Sequence, residues 1–370
     1  MKIGITGQNG FIGWHLLNSI SYKHPEFELV PFSRNFFNEP DELCNFVNKC
    51  NVIIHLAGLN RGHEDEFIYK TNIHLAKTLC KAFEKSNFSG KIIFASSIQE
   101  LNKTVFGKSK KDARKLFLNH SKTYNYEFTG LIIPNVFGSF GKPNYNSFIA
   151  TFCSKIINQE VPEINEDKSV NLIYIDDLIK CIIDQINNVS KKRIDFESTI
   201  NVKVSKILEK LNYFNLLYIK DGNIPDLSNS FELNLFNTLR SYIPHEIFYP
   251  IAHQQNIDKR GNFSEIIRSN SEGQFSYSST KRGITRGNHF HTRKIERFSV
   301  IKGKAKVEMR KVGTNNKISF LLNGDVPSFV DMPIWYSHNI TNTGDDDLIT
   351  LFWINEPYSP NDSDTYFEIV

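Results

Sequence analysis

Cysteine is scarce in this sequence of 370 residues, and its five copies are scattered as Cys44, Cys50, Cys80, Cys153 and Cys181. Their number is odd, none belongs to a Cys-x-x-Cys pair, and none falls in the second half of the chain. A disulfide framework is therefore excluded, and small buried apolar side chains are the better interpretation. This usage is typical of a reducing compartment, so we expect a cytoplasmic protein.

Long apolar runs and long basic runs are also missing. No stretch approaches the roughly 18 apolar residues that a membrane-spanning helix needs, and the strand-like run that starts at Met1 leaves no room for a signal peptide. The net charge is only +4, so nothing supports binding to nucleic acid. The hydrophobic fraction of 40% is ordinary for a soluble protein, and a length of 370 residues predicts two domains.

A glycine-rich turn follows the first apolar run. The residues from Met1 to Thr6 have the composition of a buried strand, and helical spacing begins at Trp14. Glycines between them would allow a tight turn and a close approach of the backbone to a pyrophosphate, which the helix N-terminus would face. Strand, turn and helix together predict the phosphate cradle of a dinucleotide fold, with contacts from Gly7, Gly10, Phe11, Ile12 and Gly13.

The choice between NAD(H) and NADP(H) depends on the end of the second predicted strand. About 20 residues beyond Gly13, where an NAD site places its acidic residue, the sequence reads Phe32-Ser33-Arg34. No carboxylate occurs at that point, and Arg34 is suited to a 2′-phosphate. The pattern favours NADP(H), with Ser33 and Arg34 as contacts. An exposed arginine without a ligand is the alternative.

Strand-like and helical runs alternate through the first part of the chain. Strands are predicted at residues 28–32, 52–56, 91–95 and 128–133, and helices at 41–49, 65–85, 108–122, 146–157, 176–189, 203–211 and 228–241. This alternation predicts a Rossmann-type α/β fold, a doubly wound parallel sheet with helices on both faces. After Tyr242-Ile243-Pro244, short β-rich segments broken by glycines predict an all-β barrel or sandwich. We therefore expect domains at residues 1–245 and 246–370.

Two blocks of the second predicted domain have the spacing of a metal site. One reads Gly283-x5-His289-x-His291-x4-Glu296-x6-Gly303, and the other Pro333-x-Trp335-x2-His338-x3-Asn342. His289 and His291 lie two apart, so on a strand both rings would face the same side. Three imidazoles and a carboxylate suit zinc, iron, nickel or manganese, with zinc preferred. Histidines that only pack inside a barrel are the alternative.

These motifs also resemble known families. The two histidine blocks resemble the two motifs of cupins, and the glycine turn, His55-Leu56-Ala57-Gly58 and Ser96-Ser97-Ile98-Gln99 resemble extended short-chain dehydrogenases/reductases. The combination resembles the CapF family of bifunctional capsular-polysaccharide enzymes over essentially the whole length. Further segments that carry this likeness are Asn60-Arg61, Gly141-Lys142-Pro143-Asn144-Tyr145-Asn146-Ser147, Gly287-Asn288-His289 and Asp364-Thr365-Tyr366-Phe367.

The resemblance implies an activity. The family works on a UDP-linked 4-keto-6-deoxy-N-acetylhexosamine. The cupin domain epimerises C3 of this sugar, and the reductase domain then reduces the C4 ketone with NADPH. The product leads to N-acetyl-L-fucosamine for a surface polysaccharide, and a homodimer is the expected assembly. The implied residues are Leu56, Ala57 and Gly58 for the cofactor, Ser96, Ser97 and Lys110 for catalysis (Lys110 also for the cofactor), and Asn60, Arg61, Asn135, Lys142, Asn144 and Asn146 for the substrate. Lys302, Lys304 and Tyr336 are candidate acid–base groups for epimerisation.

One departure from the family leaves the reductase function open. Phe106 stands where the family has its catalytic tyrosine, four residues before Lys110, and Ile132-Ile133 stand where an arginine is expected before Pro134-Asn135. A phenyl ring cannot give a proton to the alkoxide that forms at C4. Ser96, Ser97, Lys110 or a water molecule could substitute. The alternatives are a cupin 3-epimerase with an inactive reductase domain, and a non-catalytic protein that binds nucleotide sugars.

Overall fold

The structure is a computed structural model that describes residues 1–62 and 64–370. The described residues divide into two compact units. The first comprises Met1–Thr151 and Glu163–Ile207, and the second comprises Phe152–Pro162 and Leu208–Val370. Residues 208–245 thus belong to the second unit. The predicted domain boundary at 246 stays a prediction.

Mostly parallel strands form the centre of the first unit. They are β1 (Lys2–Thr6), β2 (Glu28–Val30), β3 (Val52–His55), β4 (Lys91–Ser97), β5 (Glu127–Ile133), β6 (Asn135–Phe137), β7 (Ser169–Tyr174), β8 (Ile194–Asp195) and β9 (Ile200–Lys203). The main sheet has the order β2-β1-β3-β4-β5-β8 with all pairs parallel, and a smaller sheet has the order β6-β7-β9. The predicted parallel α/β architecture is therefore confirmed. The strand predicted at 28–32 ends at Val30, immediately before Pro31, which has no N–H to donate to a ladder.

The helices begin and end close to the predicted positions. They are α1 (Phe11–Lys23), α2 (Pro40–Lys49), α3 (Asp65–Lys85), α4 (Val105–Tyr124), α5 (Phe148–Ile157), α6 (Ile175–Asn187) and α7 (Val204–Phe214), with 3-10 turns at Arg34–Asn38 and Ile98–Leu101. α4 begins after Thr104, whose hydroxyl accepts a hydrogen bond from Gly107 N (3.1 Å) and caps the first turn. Leu79 and Phe83 of α3, Ile92 of β4 and Phe117 of α4 are buried in one apolar core.

The parallel strands direct their carboxyl ends to one edge of the sheet. The loops after β1, β3, β4 and β5 therefore meet there, and ligands of open α/β sheets bind at this edge. The predicted glycine turn follows β1, and Ser97 is the last residue of β4.

Antiparallel strands make up most of the second unit. After α8 (Ser230–Arg240) and α9 (His245–Phe248) come β10 (Ile251–Ala252), β11 (Gln255–Asp258), β12 (Gly261–Ser264), β13 (Gln274–Thr280), β14 (Thr285–Phe290), β15 (Glu296–Lys302), β16 (Lys304–Lys311), β17 (Lys317–Asn323), β18 (Ser328–Met332), β19 (Tyr336–Asn342), β20 (Leu348–Ile354) and β21 (Tyr366–Phe367). One sheet has the order β10-β18-β15-β20-β13 and another the order β17-β16-β19-β14-β21, while β11 pairs with β12. Phe298 and Val300 of β15 share a buried core with Val307 and Met309 of β16, so the sheets pack face to face. The predicted all-β region is confirmed.

A buried ion pair joins β15 to β18. Arg297 lies opposite Asp331 and donates two hydrogen bonds to its carboxylate, from Nε (2.7 Å) and from the terminal nitrogen Nη2 (2.9 Å). Tyr218, in a π-helical turn at Asn215–Lys220, donates to the same carboxylate (2.7 Å), and Arg240 of α8 donates to the Tyr218 hydroxyl (3.2 Å). Burial opposes the charge of Asp331, but the neighbouring guanidiniums outweigh it and lower the pKa of this carboxyl. The helices that precede the strands are thus attached to them through one carboxylate.

None of the helices in the described part of the chain combines the length and the apolar character that a membrane crossing requires.

We expect Asp331→Ala to destabilise the second unit by about 3–5 kcal/mol, because the change leaves the buried Arg297 guanidinium without its partner. Chemical denaturation followed by tryptophan fluorescence measures this, since Trp335 and Trp353 both lie in that unit.

Asp258→Ala is the matched control, because the Asp258 carboxylate binds Arg260 at the surface. This control should leave the transition where it is in the unaltered protein. An Asp331 variant that unfolds at the same denaturant concentration would contradict the role given to the ion pair.

Candidate functional site

A cavity of about 450 Å³ lies at the carboxyl edge of the parallel sheet. Its lining begins at the glycine turn after β1, continues past the ends of β3 and β4, and includes the loop that precedes α5. Predicted site residues in this lining are Gly7, Gly10, Phe11, Ile12, Gly13, Leu56, Gly58, Asn60, Ser96, Ser97, Lys110, Asn135, Lys142 and Asn146. The structure thus brings most of the predicted cofactor and substrate contacts to one place.

The glycine turn has the form of a phosphate cradle. Gly7 has a φ of +81°, and a Cβ on it would lie 2.7 Å from Ala57 N; a Cβ on Gly13 would lie 2.1 Å from Gly7 O. Only glycine fits at these two positions. α1 begins at Phe11 after Gly10, which has no side chain to cap the first N–H groups of the helix. These donors therefore remain available to an anion such as a pyrophosphate.

The two serines at the end of β4 have different surroundings. Ser96 is buried, and its hydroxyl donates to the carboxylate of Glu100, which Arg114 also binds with two hydrogen bonds of 2.8 Å. Burial raises the pKa of Glu100, but Arg114 and Ser96 outweigh it and lower the pKa overall. The hydroxyl of Ser97 accepts a hydrogen bond from Gln99 N (3.2 Å), and both serines line the cavity. Ser97 is therefore better placed than Ser96 to meet a ligand.

Lys110 and Phe106 lie one turn apart on α4 and both line the cavity. Lys110 is buried, with its Nζ 4.5 Å from the centroid of the Phe94 ring. Burial lowers the pKa of Lys110 to about 8, although the charge of Glu100 acts in the opposite direction. Phe106 occupies the next turn toward the N-terminus of the helix, where a phenol would share the same wall.

Some predicted contacts do not line the cavity. Arg34 is exposed at the start of the 3-10 turn after β2, and Ser33 caps that turn. Ala57 packs behind Gly7, Arg61 is exposed, and Asn144 binds Thr151 through its backbone N–H (2.9 Å). Ligand contacts from these residues stay predictions.

Further residues line the cavity beside the predicted ones. Asn60 is one of the predicted residues, and its Oδ1 atom is buried with no hydrogen-bond partner among the described residues. Residues in the lining that were not predicted as site residues are Asn9, Ala95, Gln99, Phe106, Ile133, Pro134, Val136, Phe140, Gly141, Tyr145 and Ser147. Tyr145 could have been recognised, because it lies inside the predicted loop, with Lys142 Nζ 5.3 Å from its ring centroid.

The predicted metal ligands form a cluster in the second unit. Single donor atoms of His289, His291, Glu296 and His338 all lie within 4.8 Å of one another. His289 and His338 face each other across β14 and β19, whereas Glu296 begins β15 in the other sheet. Glu296 Oε2 lies 3.1 Å from His338 Nε2, 3.2 Å from His291 Nε2 and 4.0 Å from His289 Nε2. The cluster therefore joins the two sheets.

The ring orientations in the cluster are suited to a cation. The Nδ1 atom of His291 bonds to the carbonyl of Asp364 (2.6 Å), and that of His338 to the carbonyl of Tyr336 (3.0 Å). A carbonyl only accepts, so each Nδ1 carries the proton and each Nε2 presents a lone pair to the cluster. His291 Nε2 is buried without a hydrogen-bond partner among the described residues. These donors fit a divalent metal ion.

The charges in the cluster centre on one carboxylate. Burial opposes ionisation of Glu296, but the three imidazoles around it outweigh burial and hold the pKa of the carboxyl well below its usual range. Burial lowers the pKa of His338, which favours the neutral ring that a metal requires, whereas Glu296 and Asp364 outweigh burial at His291 and raise its pKa. The His289 side chain is 26% exposed, against 4% for His291. The open side of the cluster therefore lies at His289.

The predicted acid–base residues are not all near this cluster. Lys302 is exposed at the far end of β15 from Glu296, roughly 20 Å away at about 3.3 Å per strand residue, and Lys304 follows it. An acid–base role for Lys302 stays a prediction. Tyr336 precedes His338 by two positions, so both face the same side of β19. Its ring packs edge-on against His245, with centroids 5.2 Å apart.

Asp364 is a residue beside the cluster that the sequence patterns did not assign to the site. It is buried and has a φ of +45°. The segment Asp364-Thr365-Tyr366-Phe367 resembles the CapF family, but that resemblance assigned no role to Asp364. The sequence signal that could have identified Asp364 is an acidic residue just before the short C-terminal strand.

The two units match different family models. Residues 3–197 match the NAD dependent epimerase/dehydratase family, and residues 256–366 match the polysaccharide biosynthesis C-terminal domain.

Similar proteins match the whole chain. A UDP-2-acetamido-2,6-beta-L-arabino-hexul-4-ose reductase of Pseudomonas aeruginosa is 30% identical over 370 residues, covering 99% of this chain and 98% of the relative. Among solved structures, the capsular polysaccharide assembling protein CapF from Staphylococcus aureus is 32% identical, covers 100% of both chains and has a TM-score of 0.62. RMD from Pseudomonas aeruginosa, complexed with NADPH, is 19% identical over 58% of this chain and 84% of its own, with a TM-score of 0.52. This last likeness is one of fold.

We expect Gly13→Ala to weaken binding of NADPH by roughly tenfold or more, about 1.4 kcal/mol. The new Cβ would lie 2.1 Å from Gly7 O, so the turn cannot keep its shape. Quenching or enhancement of NADPH fluorescence in a titration gives the affinity.

Gly10→Ala is the control in the same turn, because its Cβ would lie 3.3 Å from Gly7 O and needs only a small adjustment. It should lose less affinity than Gly13→Ala. Equal affinities in the Gly13 variant and the unaltered protein would refute the cradle.

Proposed function

The chain belongs to the NAD dependent epimerase/dehydratase family and, over its full length, to the CapF family, and we propose that it is a bifunctional nucleotide-sugar enzyme. Its substrate is a UDP-linked 4-keto-6-deoxy-N-acetylhexosamine. The second unit epimerises C3, and the first unit then reduces the C4 ketone with NADPH. The product leads toward UDP-N-acetyl-L-fucosamine-type sugars for a surface polysaccharide.

One observation carries the proposal: a single cavity contains the glycine turn, Ser97, Lys110 and a loop of polar residues after the sheet. The glycine turn suits the pyrophosphate of a dinucleotide. Besides Lys110, the cavity offers the amide groups of Asn60 and Asn135 and the ammonium group of Lys142. Groups of this kind bind nucleotide sugars. A relative that is matched over 98% of its own length and is named a UDP-sugar reductase supports the same substrate class.

NADPH is the proposed cofactor of the first unit, where it would supply the hydride for C4. Arg34 lies just after β2, where an NAD site would hold an acidic residue, so a 2′-phosphate finds a cation there. Lys110 would hold the nicotinamide end of the cofactor, and the backbone of Gly7 to Gly13 would hold the phosphates. A similar fold solved with NADPH is consistent with this choice.

Reduction in this chain needs a proton donor other than a tyrosine. Ser97 would hold the ketone oxygen, since both serines line the cavity but the Ser96 hydroxyl is bound to Glu100. Lys110 lies one helical turn from Phe106 in the same cavity wall, and its lowered pKa eases release of a proton near neutral pH. We propose that Lys110, directly or through a water molecule, takes the place of the phenol. A second candidate is favoured by Phe106 itself: an epimerase whose reductase unit binds NADPH without reducing.

For the second unit we propose a cupin fold and a divalent metal, with zinc preferred, held by His289, His291, Glu296 and His338. Removal of the C3 proton next to a ketone leaves an enolate, and the bound cation would stabilise its oxygen. Reprotonation from the other face then inverts C3. Tyr336 is the candidate acid–base group, because it faces the same side of β19 as His338. We also propose a homodimer, as the resemblance implies.

Incubation of the proposed substrate with the protein and NADPH in deuterated water separates the two reactions. We expect carbon-bound deuterium together with the mass gain of reduction. Deuterium without reduction would establish the second candidate, in which only epimerisation survives. No change in mass would overturn both enzymatic functions for this substrate.

Phe106→Tyr should accelerate reduction, by less than the roughly 10²–10⁴-fold that a positioned acid contributes over none, because Lys110 already supplies the proton in the proposed mechanism. NADPH consumption under single-turnover conditions measures the rate. Phe94→Tyr is the control. It also places a phenol next to the Lys110 ammonium, but this phenol comes from strand β4 and not from the position of the family's tyrosine. No gain in the Phe106 variant would contradict the position given to the acid.

Replacing His289 and His291 together by alanine should lower bound metal toward zero, because it removes half of the ligand set. Metal content after purification, measured by mass spectrometry, decides this. His120→Ala is the control, as His120 stacks on Tyr124 in the first unit. Metal retained in the double variant would sink the assignment.

A further inference from the structure

A four-residue loop connects two members of the metal cluster that belong to different sheets. His291 directly follows β14, and Glu296 begins β15. The loop between them must hold both donors at one point, so its shape decides the geometry of the cluster. Side chains alone could not correct a loop displaced by an ångström.

One carboxylate binds the backbone of this loop. Asp364 accepts hydrogen bonds from Thr292 N (3.1 Å), Arg293 N (2.9 Å) and Lys294 N (3.0 Å). It also accepts one from the Thr292 hydroxyl (2.6 Å). Three consecutive N–H groups that point at one carboxylate are a nest, in which a full negative charge matches the summed dipoles. The next N–H, of Ile295, donates to Asn355 Oδ1 (2.8 Å).

The same residue fixes the ring of His291. The Asp364 carbonyl accepts from His291 Nδ1 (2.6 Å), which leaves the Nε2 lone pair for the cluster. Asp364 thus acts on the loop through its side chain and on a ligand through its backbone. Its φ of +45° is tolerated by aspartate and asparagine better than by most residues.

The segment around Asp364 is attached to the strand that carries the histidines. Phe367 of β21 pairs with His289, and Tyr366 pairs with Phe290. Glu368 binds Arg310 (2.7 Å), and its own backbone N–H donates to Asn288 O (3.0 Å). Asp364 is therefore held independently of the loop that it binds.

We propose that Asp364 is a positioning residue of the metal cluster, and that its carboxylate, bound to the backbone of residues 292–294, sets the affinity and the coordination geometry of the cation. The inference rests on the proposed metal site of the second unit. It adds residues 364–368 to that site.

The test compares Zn²⁺ affinity in the full chain and in Asp364→Asn, by competition with a fluorescent chelator. Asparagine keeps the size and tolerates the backbone conformation, but it removes the charge and brings N–H groups toward the nest. We expect affinity to fall by about 10–100-fold, the usual effect of losing a group that orients a ligand. Equal affinities would overturn the proposal.

Asp362→Asn is the matched control. Asp362 lies two positions away and binds the side chain of Arg293 (2.8 Å) rather than the backbone of the loop. It should bind Zn²⁺ as the unaltered protein does. A loss equal to that of Asp364→Asn would show that any nearby negative charge suffices, and would overturn the proposal.

The visible spectrum of bound Co²⁺ separates positioning from simple instability. We expect altered ligand-field bands in Asp364→Asn, because the donors move, whereas a merely weaker fold would give the same bands at lower occupancy. If Asp364→Asn does not fold, Thr292→Val removes only the hydroxyl contact and decides instead: weaker Zn²⁺ binding supports the proposal, and unchanged binding overturns it. An unaltered protein that binds no Zn²⁺ would overturn the metal site itself, whereas binding that the variants do not change overturns only the role of Asp364.

Discussion

The ion pair between Arg297 and Asp331 is the interaction on which the second unit depends, because it fixes the pairing of β15 with β18. Neighbouring residues of a strand face opposite sides, so a pairing that holds Arg297 against Asp331 also holds Glu296 on the other face, among the histidines. A shift by one residue would turn the Arg297 guanidinium toward the histidines and the Glu296 carboxylate toward Asp331. Each charge would then meet the wrong surroundings. The buried pair contributes specificity of register more than net stability.

Helices and buried strands could be predicted from the sequence because their signals are local. The helix predicted at 65–85 is observed at Asp65–Lys85, since an apolar stripe and two acidic residues in the first turn define it. The glycine turn was equally readable, because its glycines lie close together in the sequence between a strand and a helix. The packing of residues 208–245 with the strands was not, because an amphipathic face does not disclose its partner.

The candidate sites divide in the same way. His289, His291, Glu296 and His338 could be grouped from spacing, and the structure brings them within 4.8 Å of one another. Asp364 escaped prediction because its partner Thr292 lies 72 residues away, and nothing local marks a carboxylate that binds backbone N–H groups. The distance of Lys302 from the cluster could not be foreseen, because a sequence does not reveal which end of a strand meets a site. Ser96 and Ser97 both line the cavity, and the bond from Ser96 to Glu100 that distinguishes them depends on the fold.

The cluster takes its donors from both antiparallel sheets, and this has a consequence for how much of the protein a cell maintains. A cation that binds only the folded form adds to folding stability in proportion to the logarithm of its free concentration. Supply of the proposed metal would then govern abundance as well as activity, since a less stable chain is removed faster by proteases. A cell short of the metal would lose the protein itself, and polysaccharide output would fall more steeply than occupancy of the site alone implies.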